Sequence, residues 1–316
     1  MSAADAAFTE HRHGALTALS DLSWRRPKLL LFMLLVPPLL WLGVIYVGAL
    51  VALLLQSFYA IDEFSGMVDY KVLTLKTYRE LFNPANLDII IRTVLMATTV
   101  TLASAAIAFP IAYMAARYVR GRWKAIFYLA VMLPLWSSYL VKLYAWKLIL
   151  AKEGILNWLF AQLHPTSLLD AYLSLPVVGG GSLSISYTGT FLVFVYVWMP
   201  FMILPTQAAL ERVPLSLIDA SGDLGATPWQ TFRHVILPLA LPGIIAGSIF
   251  TFSLTLGDYI IPQIVGSSRL FIGQAVYAHQ GTAGNIPLAA AFSVVPIVIM
   301  GIYLWMAQRK GAFDAL

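Results

Sequence analysis

Long runs of apolar residues alternate with short polar segments along most of this chain. The first run, 29–55, contains no charged residue. A helix crosses a bilayer core about 30 Å thick with roughly 20 apolar residues, so each run of this length predicts a transmembrane helix. The pattern predicts an all-α polytopic membrane protein with six spans, at 29–55 and near 90–114, 125–150, 189–209, 239–262 and 286–307.

The same pattern sets the expected domain organisation. The first run is too long for the apolar core of a signal peptide, and no convincing small-x-small cleavage site follows it, so we expect a retained anchor. Spans two and three are separated only by RYVRGRWK and should form a helical hairpin. The expected segments are a tail at 1–28, a first transmembrane helix at 29–55, an outer loop at 56–88, a five-helix transmembrane domain at 89–307 and a tail at 308–316.

Three loop segments on the predicted outer side have recognisable patterns. Residues 71–82 and 153–164 carry apolar positions at roughly helical spacing, which predicts short interfacial helices. A docking surface for an external partner is the alternative interpretation of both. Residues 176–190 are typical of a Gly/Ser loop that could include a short strand, and nothing in them indicates chemistry.

Positive charge indicates the orientation, because Lys and Arg in short loops favour the cytoplasmic side. One predicted side carries Arg25, Arg26, Lys28, Arg117, Arg120, Arg122, Lys124, Arg309 and Lys310. The loops of the other side carry Lys71, Lys76, Arg79, Lys152 and Arg269, partly balanced by acidic residues. We therefore expect both termini in the cytoplasm.

Composition narrows the class of protein further. The 316 residues are 60% hydrophobic and only 11% charged, whereas a soluble domain has about 25% charged residues. This excludes a disordered chain and a soluble nucleotide-binding enzyme. The chain has no cysteine, which excludes disulfides and thiolate metal sites. The net charge of +5 is explained by the distribution of Lys and Arg across a membrane, so we expect contact with lipid and not with nucleic acid.

The segment between spans four and five, residues 211–243, is too long and too polar for a simple turn. Pro214 can begin a helix, and Gly225 can end it in a left-handed conformation. Thr227-Pro228-Trp229-Gln230 is a capping box for a second helix, which should bend into span five at Pro238. The segment therefore predicts an exposed elbow of two helices at 214–238. An amphipathic connector would not need the small residues that this elbow carries at 220–222, which allow another protein to approach the backbone closely.

The elbow resembles the EAA motif of importer-type ABC permeases, the membrane subunits of binding-protein-dependent uptake systems. That motif reads Glu-Ala-Ala, three residues, Gly, nine residues and Ile-x-Leu-Pro. This chain matches every interval with Asp219-Ala220-Ser221, Gly225 and Val235-x-Leu237-Pro238, and it has Asp for Glu, Ser for the second Ala and Val for Ile. The resemblance extends from about residue 88 to 306. Residues 132–157 and 255–266 are similar to segments of the spermidine/putrescine permeases, with Lys142 where many relatives have arginine.

The resemblance implies a type I importer fold in the inner membrane of a bacterium. It also implies that the elbow is a coupling helix that docks in a groove of an ATPase subunit. The coupling residues are then Asp219, Ala220, Ser221, Gly222, Asp223, Gly225, Leu237 and Pro238. The implied partners are a dimer of ABC ATPase subunits, a second permease subunit (a paralogue or a copy) and an extracytoplasmic solute-binding protein. ATP and Mg would be bound by the ATPase partner, and this chain would bind no cofactor.

The apolar spans also hold a few candidate pathway residues. Tyr259 is one of them, and its neighbour Asp258 lies near the outer end of span five, directly after Gly257. As an ionisable group at membrane depth it is a candidate contact for a cationic solute, while the alternative is an interfacial residue that caps a broken helix. In span three, Trp136, Tyr139, Leu143 and Trp146 recur at helical spacing and should share a face, either lining a pathway by cation–π contacts or packing in an aromatic belt. Lys142 and Lys147 should extend to the interface and not bind a cation.

No catalytic pattern is present in the sequence. There is no Gly-Lys-Ser/Thr phosphate loop and no His-Glu-x-x-His, and the five histidines, His11, His13, His164, His234 and His279, are dispersed. We therefore expect a non-enzymatic permease for a small cationic solute, a polyamine above all. The alternatives are an opine-like or amino-acid-like solute for the same role, or a self-sufficient secondary transporter, which would normally show charges at the membrane midplane.

Overall fold

The computed structural model describes residues 27–62, 65–163, 166–175, 178 and 180–309, and within these ranges the chain is predominantly helical. Some expectations lie outside the described residues: most of the tails at 1–28 and 308–316, and part of the loop at 176–190. The same holds for six of the charged or histidine positions named above, His11, His13, Arg25, Arg26, His164 and Lys310.

The chain divides into two compact units, and the first ends at Gln56. Its described part consists of α1 (Pro27–Leu40), a π-helical stretch (Trp41–Val47) and α2 (Gly48–Gln56). Together Leu30–Gln56 form 27 helical residues, apolar and long enough to cross a membrane. Pro37 and Pro38 lie inside α1, and because neither has an N–H, the carbonyls one turn earlier lack their usual donors.

The second unit, Ser57–Leu316, contains a small β-hairpin and thirteen helices among its described residues. The hairpin strands β1 (Ala60–Ile61) and β2 (Val68–Asp69) are antiparallel and were not predicted. The helices are α3 (Lys76–Leu81), α4 (Pro84–Arg117), α5 (Arg122–Trp136), α6 (Tyr139–Ile149), α7 (Ile155–Leu163), α8 (Thr166–Leu173), α9 (Tyr187–Arg212), α10 (Leu215–Asp223), α11 (Pro228–Thr231), α12 (Leu237–Gly257), α13 (Ile260–Ile264), α14 (Ile272–Gln280) and α15 (Ile286–Arg309).

Four helical stretches of this unit are long and apolar enough to cross a membrane: Pro84–Arg117, Tyr187–Arg212, Pro228–Gly257 and Ile286–Arg309. With Leu30–Gln56 they make five such helices in the described chain, and the bent pair α5–α6 brings the number to six if it counts as one span. The predicted all-α fold is confirmed. Helices α3 and α7 lie within two of the loop segments where short helices were expected.

The core of the second unit forms where α9 packs against α4 and α12. Two glycines of α12 allow the close approach to α9, because a Cβ at Gly243 would lie 2.4 Å from Ala209 Cβ and 2.5 Å from the Pro205 carbonyl oxygen. A Cβ at Gly247 would lie 2.9 Å from Met202 Sδ. In a bilayer, where lipid tails are as apolar as leucine, such close contact between helices replaces the hydrophobic effect as the source of helix association.

The predicted continuous span at 125–150 is wrong, because the helix breaks at Ser137 and Ser138 and the two halves meet at 92°. Both serines have extended backbone conformations. The freed carbonyl of Pro134 accepts hydrogen bonds from Ser137 Oγ at 2.9 Å and from Lys142 Nζ at 2.7 Å. Side-chain donors thus replace the helical N–H that the break removes.

The predicted end of span five at 262 is also wrong. Helix α12 ends at Gly257, Asp258 is extended, and Ile260–Ile264 form the separate short helix α13. The segment after α13 is held to the core through Thr190 of α9, whose hydroxyl donates to the Val265 carbonyl at 2.9 Å. This arrangement places the Asp258 turn against neighbouring helices.

Candidate functional site

The elbow between α9 and α12 begins with α10 (Leu215–Asp223). Pro214 is the N-cap of this helix and not a residue of its first turn, a small correction to the sequence-based expectation. The helix ends at Gly225, which has a φ of +79°, and Ala226 N–H donates to the Ser221 carbonyl at 3.1 Å. This is the left-handed helix stop that the glycine predicts, since only glycine adopts such a φ without strain.

The second arm of the elbow starts with the predicted capping box. Thr227 Oγ1 accepts from the Gln230 N–H at 3.4 Å, and Gln230 Oε1 accepts from the Thr227 N–H at 2.7 Å. Helix α11 then passes through a π-helical stretch, Phe232–Ile236, into α12, so that Pro228–Gly257 is one helical stretch of 30 residues. Leu237 and Pro238 are the first two residues of α12, directly after the π-helical stretch, so the second arm enters span five without a break in the helix.

A hydrogen bond of 2.8 Å between the hydroxyls of Ser221 and Thr231 braces the two arms against each other. Asp219, Ala220, Gly222, Asp223 and Gly225 are exposed, whereas Ser221 is half-buried. Four large apolar side chains that were not among the expected coupling residues are also exposed, and the two most exposed are Leu224 at 88% and Trp229 at 65%, followed by Leu215 and Leu217. The exposed surface of the elbow therefore combines small, acidic and large apolar side chains.

Aromatic rings connect the elbow to α4. The Trp229 ring lies 5.2 Å from that of Phe232, which in turn lies 5.4 Å from Phe109 in an edge-on contact. A hydrogen bond also joins α4 to the residue that precedes the elbow: Arg117 at the end of α4 donates from Nη2 to the Val213 carbonyl at 2.9 Å. A displacement of the elbow is thereby linked to a membrane-length helix through packed rings and a charged hydrogen bond.

At the far end of α12, the structure brings together two of the predicted pathway residues that are distant in sequence. The Tyr139 hydroxyl donates to Asp258 Oδ2. Asp258 Oδ1 accepts from the N–H of Ile260 at 2.7 Å and of Ile261 at 3.1 Å, and so caps α13. The carboxylate therefore does have the capping geometry that was the alternative to a solute contact, and it joins α6 to the α12–α13 turn.

Tyr259 lies beside this turn and stacks on Tyr277, with ring centroids 5.3 Å apart and planes 10° from parallel. Both tyrosines line a cavity of about 310 Å³, together with Gly257, Ile272, Gly273, Val276, Gln280, Ser293 and Pro296. The stacked pair was not foreseen, because Tyr277 falls in a segment without any local motif. An aromatic surface of this kind can accommodate an alkylammonium group, and Asp258, which precedes Tyr259, is not one of the residues that line the cavity.

The expectation that four residues of span three share one helix face is wrong for Trp136. Trp136 ends α5, is 79% exposed and is separated from the other three residues by the break at Ser137 and Ser138. Tyr139 and Trp146 remain on α6, where both pack against a core cluster that contains the buried Leu143. Lys142 does not extend to the interface as expected but binds the Pro134 carbonyl across the bend.

Comparison with known proteins identifies the family. Residues 108–311 match the family model described as binding-protein-dependent transport system inner membrane component. The chain is 59% identical over 297 residues to the inner membrane ABC transporter permease protein YdcU of Escherichia coli (strain K12), covering 94% of this chain and 95% of that protein. It is 29% identical over 239 residues to the spermidine/putrescine transport system permease protein PotB of Haemophilus influenzae, covering 75% of this chain and 79% of the relative.

A solved structure shares the fold. It is that of a bacterial ABC transporter involved in the import of the acidic polysaccharide alginate, with a TM-score of 0.67, 18% identity and coverage of 92% of this chain and 99% of that chain. Neither the family nor the site geometry assigns catalysis to this subunit, since in these transporters the ATPase is a separate chain. The chain belongs to the family of binding-protein-dependent transport system inner membrane components and is a non-catalytic permease subunit of an ABC importer.

Proposed function

We propose that this permease forms part of the pathway for a small cationic solute, a polyamine of the spermidine or putrescine class. The observation that carries the proposal is the turn at the end of α12, where Tyr259 and Tyr277 line the cavity and the Asp258 carboxylate lies one residue from the wall residues Gly257 and Tyr259 without itself lining the cavity. The similarity to PotB, the permease of a spermidine/putrescine transport system, supports the same substrate class.

The chemistry of this turn suits a polyamine. A carboxylate offers about four lone-pair positions, and three donors already use Asp258: Tyr139 and the N–H groups of Ile260 and Ile261. One position and the negative charge remain for an ammonium group. The Tyr259–Tyr277 pair supplies an aromatic surface, and each cation–π contact contributes about 0.5–2 kcal/mol depending on desolvation.

Energy for transport would reach the pathway through the elbow. The proposed contact surface for an ATPase subunit comprises Asp219, Ala220, Gly222, Asp223 and Gly225, extended by Leu224 and Trp229 because of their exposure. The other three expected coupling residues would have a structural role and would not contact the ATPase subunit directly. Ser221 braces the two arms of the elbow, and Leu237 and Pro238 join the elbow to α12.

The proposed assembly contains two ATPase subunits with ATP and Mg, a second permease subunit and an extracytoplasmic solute-binding protein. Both termini and the elbow would face the cytoplasm. Support for this orientation comes from four cations in and beside the short connection between α4 and α5, because Lys and Arg near short loops favour the cytoplasmic side. They are Arg117, Arg120, Arg122 and Lys124.

The substrate class is tested by ATPase activity of the complex reconstituted with its cognate ATPase and binding protein. Spermidine or putrescine is expected to stimulate hydrolysis severalfold over the basal rate, since a loaded binding protein favours closure of the ATPase dimer. Activity that depends on this subunit but is unchanged by polyamines would contradict the substrate assignment. The opine-like and amino-acid-like solutes would then be tested in the same assay.

Three variants separate the charge of Asp258 from its capping role. Asp258→Asn retains the Oδ1 acceptor for α13 but removes the charge, and it is expected to lower polyamine uptake about tenfold while basal ATPase activity stays unchanged, because one charge-assisted hydrogen bond is worth about 1.5–3 kcal/mol. Tyr139→Phe keeps the charge and is the matched control, expected to retain most uptake. Asp258→Ala removes both charge and cap.

Equal losses in Asp258→Asn and Tyr139→Phe would mean that the link between α6 and the turn matters and the charge does not. Asp258 would then be a structural residue. Uptake is measured with radiolabelled putrescine in cells that contain equal amounts of each inserted variant.

A further inference from the structure

A cluster of polar side chains joins α5 to the end of α9, close to the start of the elbow. Glu211 of α9 binds Lys124 of α5, with 2.9 Å between Lys124 Nζ and Glu211 Oε1. The same oxygen accepts hydrogen bonds from the Tyr128 hydroxyl at 2.9 Å and from Gln207 Nε2 at 3.0 Å. These four residues, here called the Glu211 cluster, lie outside the turn at Asp258 and outside the proposed ATPase contact surface.

The spacing in the sequence explains why the four side chains meet. Lys124 and Tyr128 are four residues apart on α5, and Gln207 and Glu211 are four residues apart on α9, so each pair occupies one face of its helix. Gln207 is completely buried, and its amide donor therefore holds the Glu211 carboxylate in a defined position. Two donors of α5 thus bind a carboxylate whose position is set by α9.

Helix α5 (Arg122–Trp136) has an interruption of the helix at each end. It begins after Gly121, which has a φ of +59°, and it ends at the break that separates it from α6. None of its 15 residues is buried within this chain, although Phe127 and Val131 pack against the core between α4 and α9. Because few buried contacts hold α5, the Glu211 cluster has a large share in fixing its position.

The two ends of α5 lead to the two parts of the proposed function. Glu211 lies three residues before Pro214, the N-cap of α10, so the cluster fastens α5 to the segment that enters the elbow. At the other end α6 follows at 92°, and its first residue, Tyr139, donates to Asp258. Lys142 binds the last turn of α5 across this bend. A single helix therefore connects the start of the elbow with the turn at Asp258.

From this arrangement we infer that the Glu211 cluster transmits movement of the elbow through α5 to the turn at Asp258, and that Glu211 is a positioning residue for transport. This transmission depends on the proposed role of the elbow as the ATPase contact, but not on the identity of the solute. Movement of the elbow displaces the end of α9, and the ion pair makes α5 follow. The displacement then reaches the bend and moves Tyr139, since hydrogen-bond networks and rigid helices carry coupling between sites.

The test makes use of the absence of cysteine from the sequence, because spin labels can be attached to introduced cysteines alone. Leu133 near the end of α5 is 65% exposed and Leu95 of α4 is 59% exposed, so both can carry a label. Pulsed electron spin resonance measures the distance between Leu133→Cys and Leu95→Cys in the complex with cysteine-free partner subunits. Addition of ATP, Mg and vanadate is expected to shift this distance.

Reversal of the charge on either partner of the ion pair should suppress the shift. Glu211→Lys is expected to lower the equilibrium constant for the shifted state about fivefold, the upper end for a partly exposed ion pair. Lys124→Glu should act alike, and both substitutions together should restore the shift. Glu211→Gln keeps the Oε1 acceptor and should have a smaller effect of about twofold. Arg122→Glu is the matched control, because Arg122 lies in the same helical turn but beside the Trp123 ring.

Restoration by the double exchange, with a normal shift in Arg122→Glu, would support transmission through the cluster. An unaltered shift in Glu211→Lys together with its loss in Gly225→Arg would overturn the inference and leave the elbow as the coupling element. An unaltered shift in Gly225→Arg would refute the elbow itself, and with it the transmission. A lower melting temperature of Glu211→Lys with an unaltered shift would show a structural role only. Equal losses in Arg122→Glu and Lys124→Glu would also overturn the inference, as would an unsubstituted complex without any shift.

Discussion

Gly225→Arg is expected to abolish uptake while the subunit is still inserted into the membrane. A Cβ at Gly225 would meet nothing within 4 Å, so the change creates no clash in the subunit itself. The φ of +79° nevertheless costs an L-residue about 1–2 kcal/mol and favours reshaping of the corner. The long charged side chain would also lie in the proposed ATPase contact, where loss of a central residue costs about 2 kcal/mol or more, roughly thirtyfold in affinity.

Gly284→Arg is the matched control for Gly225→Arg. Gly284 has a φ of +64°, and a Cβ there would also meet nothing within 4 Å, but it lies between α14 and α15 and not in the elbow. Both variants therefore impose a similar backbone strain and the same new charge. We expect near-normal uptake for Gly284→Arg. Normal uptake in Gly225→Arg at an unchanged membrane level would refute the assignment of the elbow as the coupling element.

Gly243→Val is expected to prevent correct packing of α12 against α9. The new Cβ would lie 2.4 Å from Ala209 Cβ and 2.5 Å from the Pro205 carbonyl oxygen, and the second of these is a backbone atom that cannot rotate away. Overpacking of a core normally costs about 1–3 kcal/mol, and displacement of a backbone should reach or exceed the upper value. The measurement is the melting temperature of the detergent-purified chain together with its fraction of monodisperse protein.

Two further variants test the reason for this loss. Gly301→Val places the same side chain in α15, where a Cβ meets nothing within 4 Å, and should melt close to the unsubstituted protein. Gly243→Ala should be partly rescued by Ala209→Gly, because that change removes one of the two close contacts and leaves the Pro205 carbonyl. If Gly243→Val and Gly301→Val melt alike, close approach of α9 and α12 is not what the glycine provides.

The amino-acid sequence predicts the parts of this protein that depend on local physics. Apolar runs long enough to cross a bilayer have no soluble alternative, so the transmembrane helices follow from composition and length. The elbow could also be predicted from the sequence, because the glycine stop at Gly225 and the capping box of Thr227 and Gln230 each depend on residues only a few positions apart. The spacing of the elbow motif also sufficed to indicate the family.

Other features were beyond sequence reasoning because no local motif indicates them. The break after Trp136 is stabilised by Lys142, eight residues from the Pro134 carbonyl that it binds, and no periodicity indicates such a contact. The π-helical stretch Phe232–Ile236 connects the second arm to α12 without a break in the helix, and no residue pattern in the sequence indicates it.

The sequence and the tertiary structure determine different properties of the sites. The sequence by itself determined that Asp258 is an unusual carboxylate among apolar residues, and that four cations cluster near the connection between α4 and α5. Only the tertiary structure decided that Asp258 joins Tyr139 and caps α13, and that Lys124 binds Glu211 close to the start of the elbow. Charge and hydropathy are properties of single residues, whereas a site depends on distances between residues that only the packing of α4, α9 and α12 establishes.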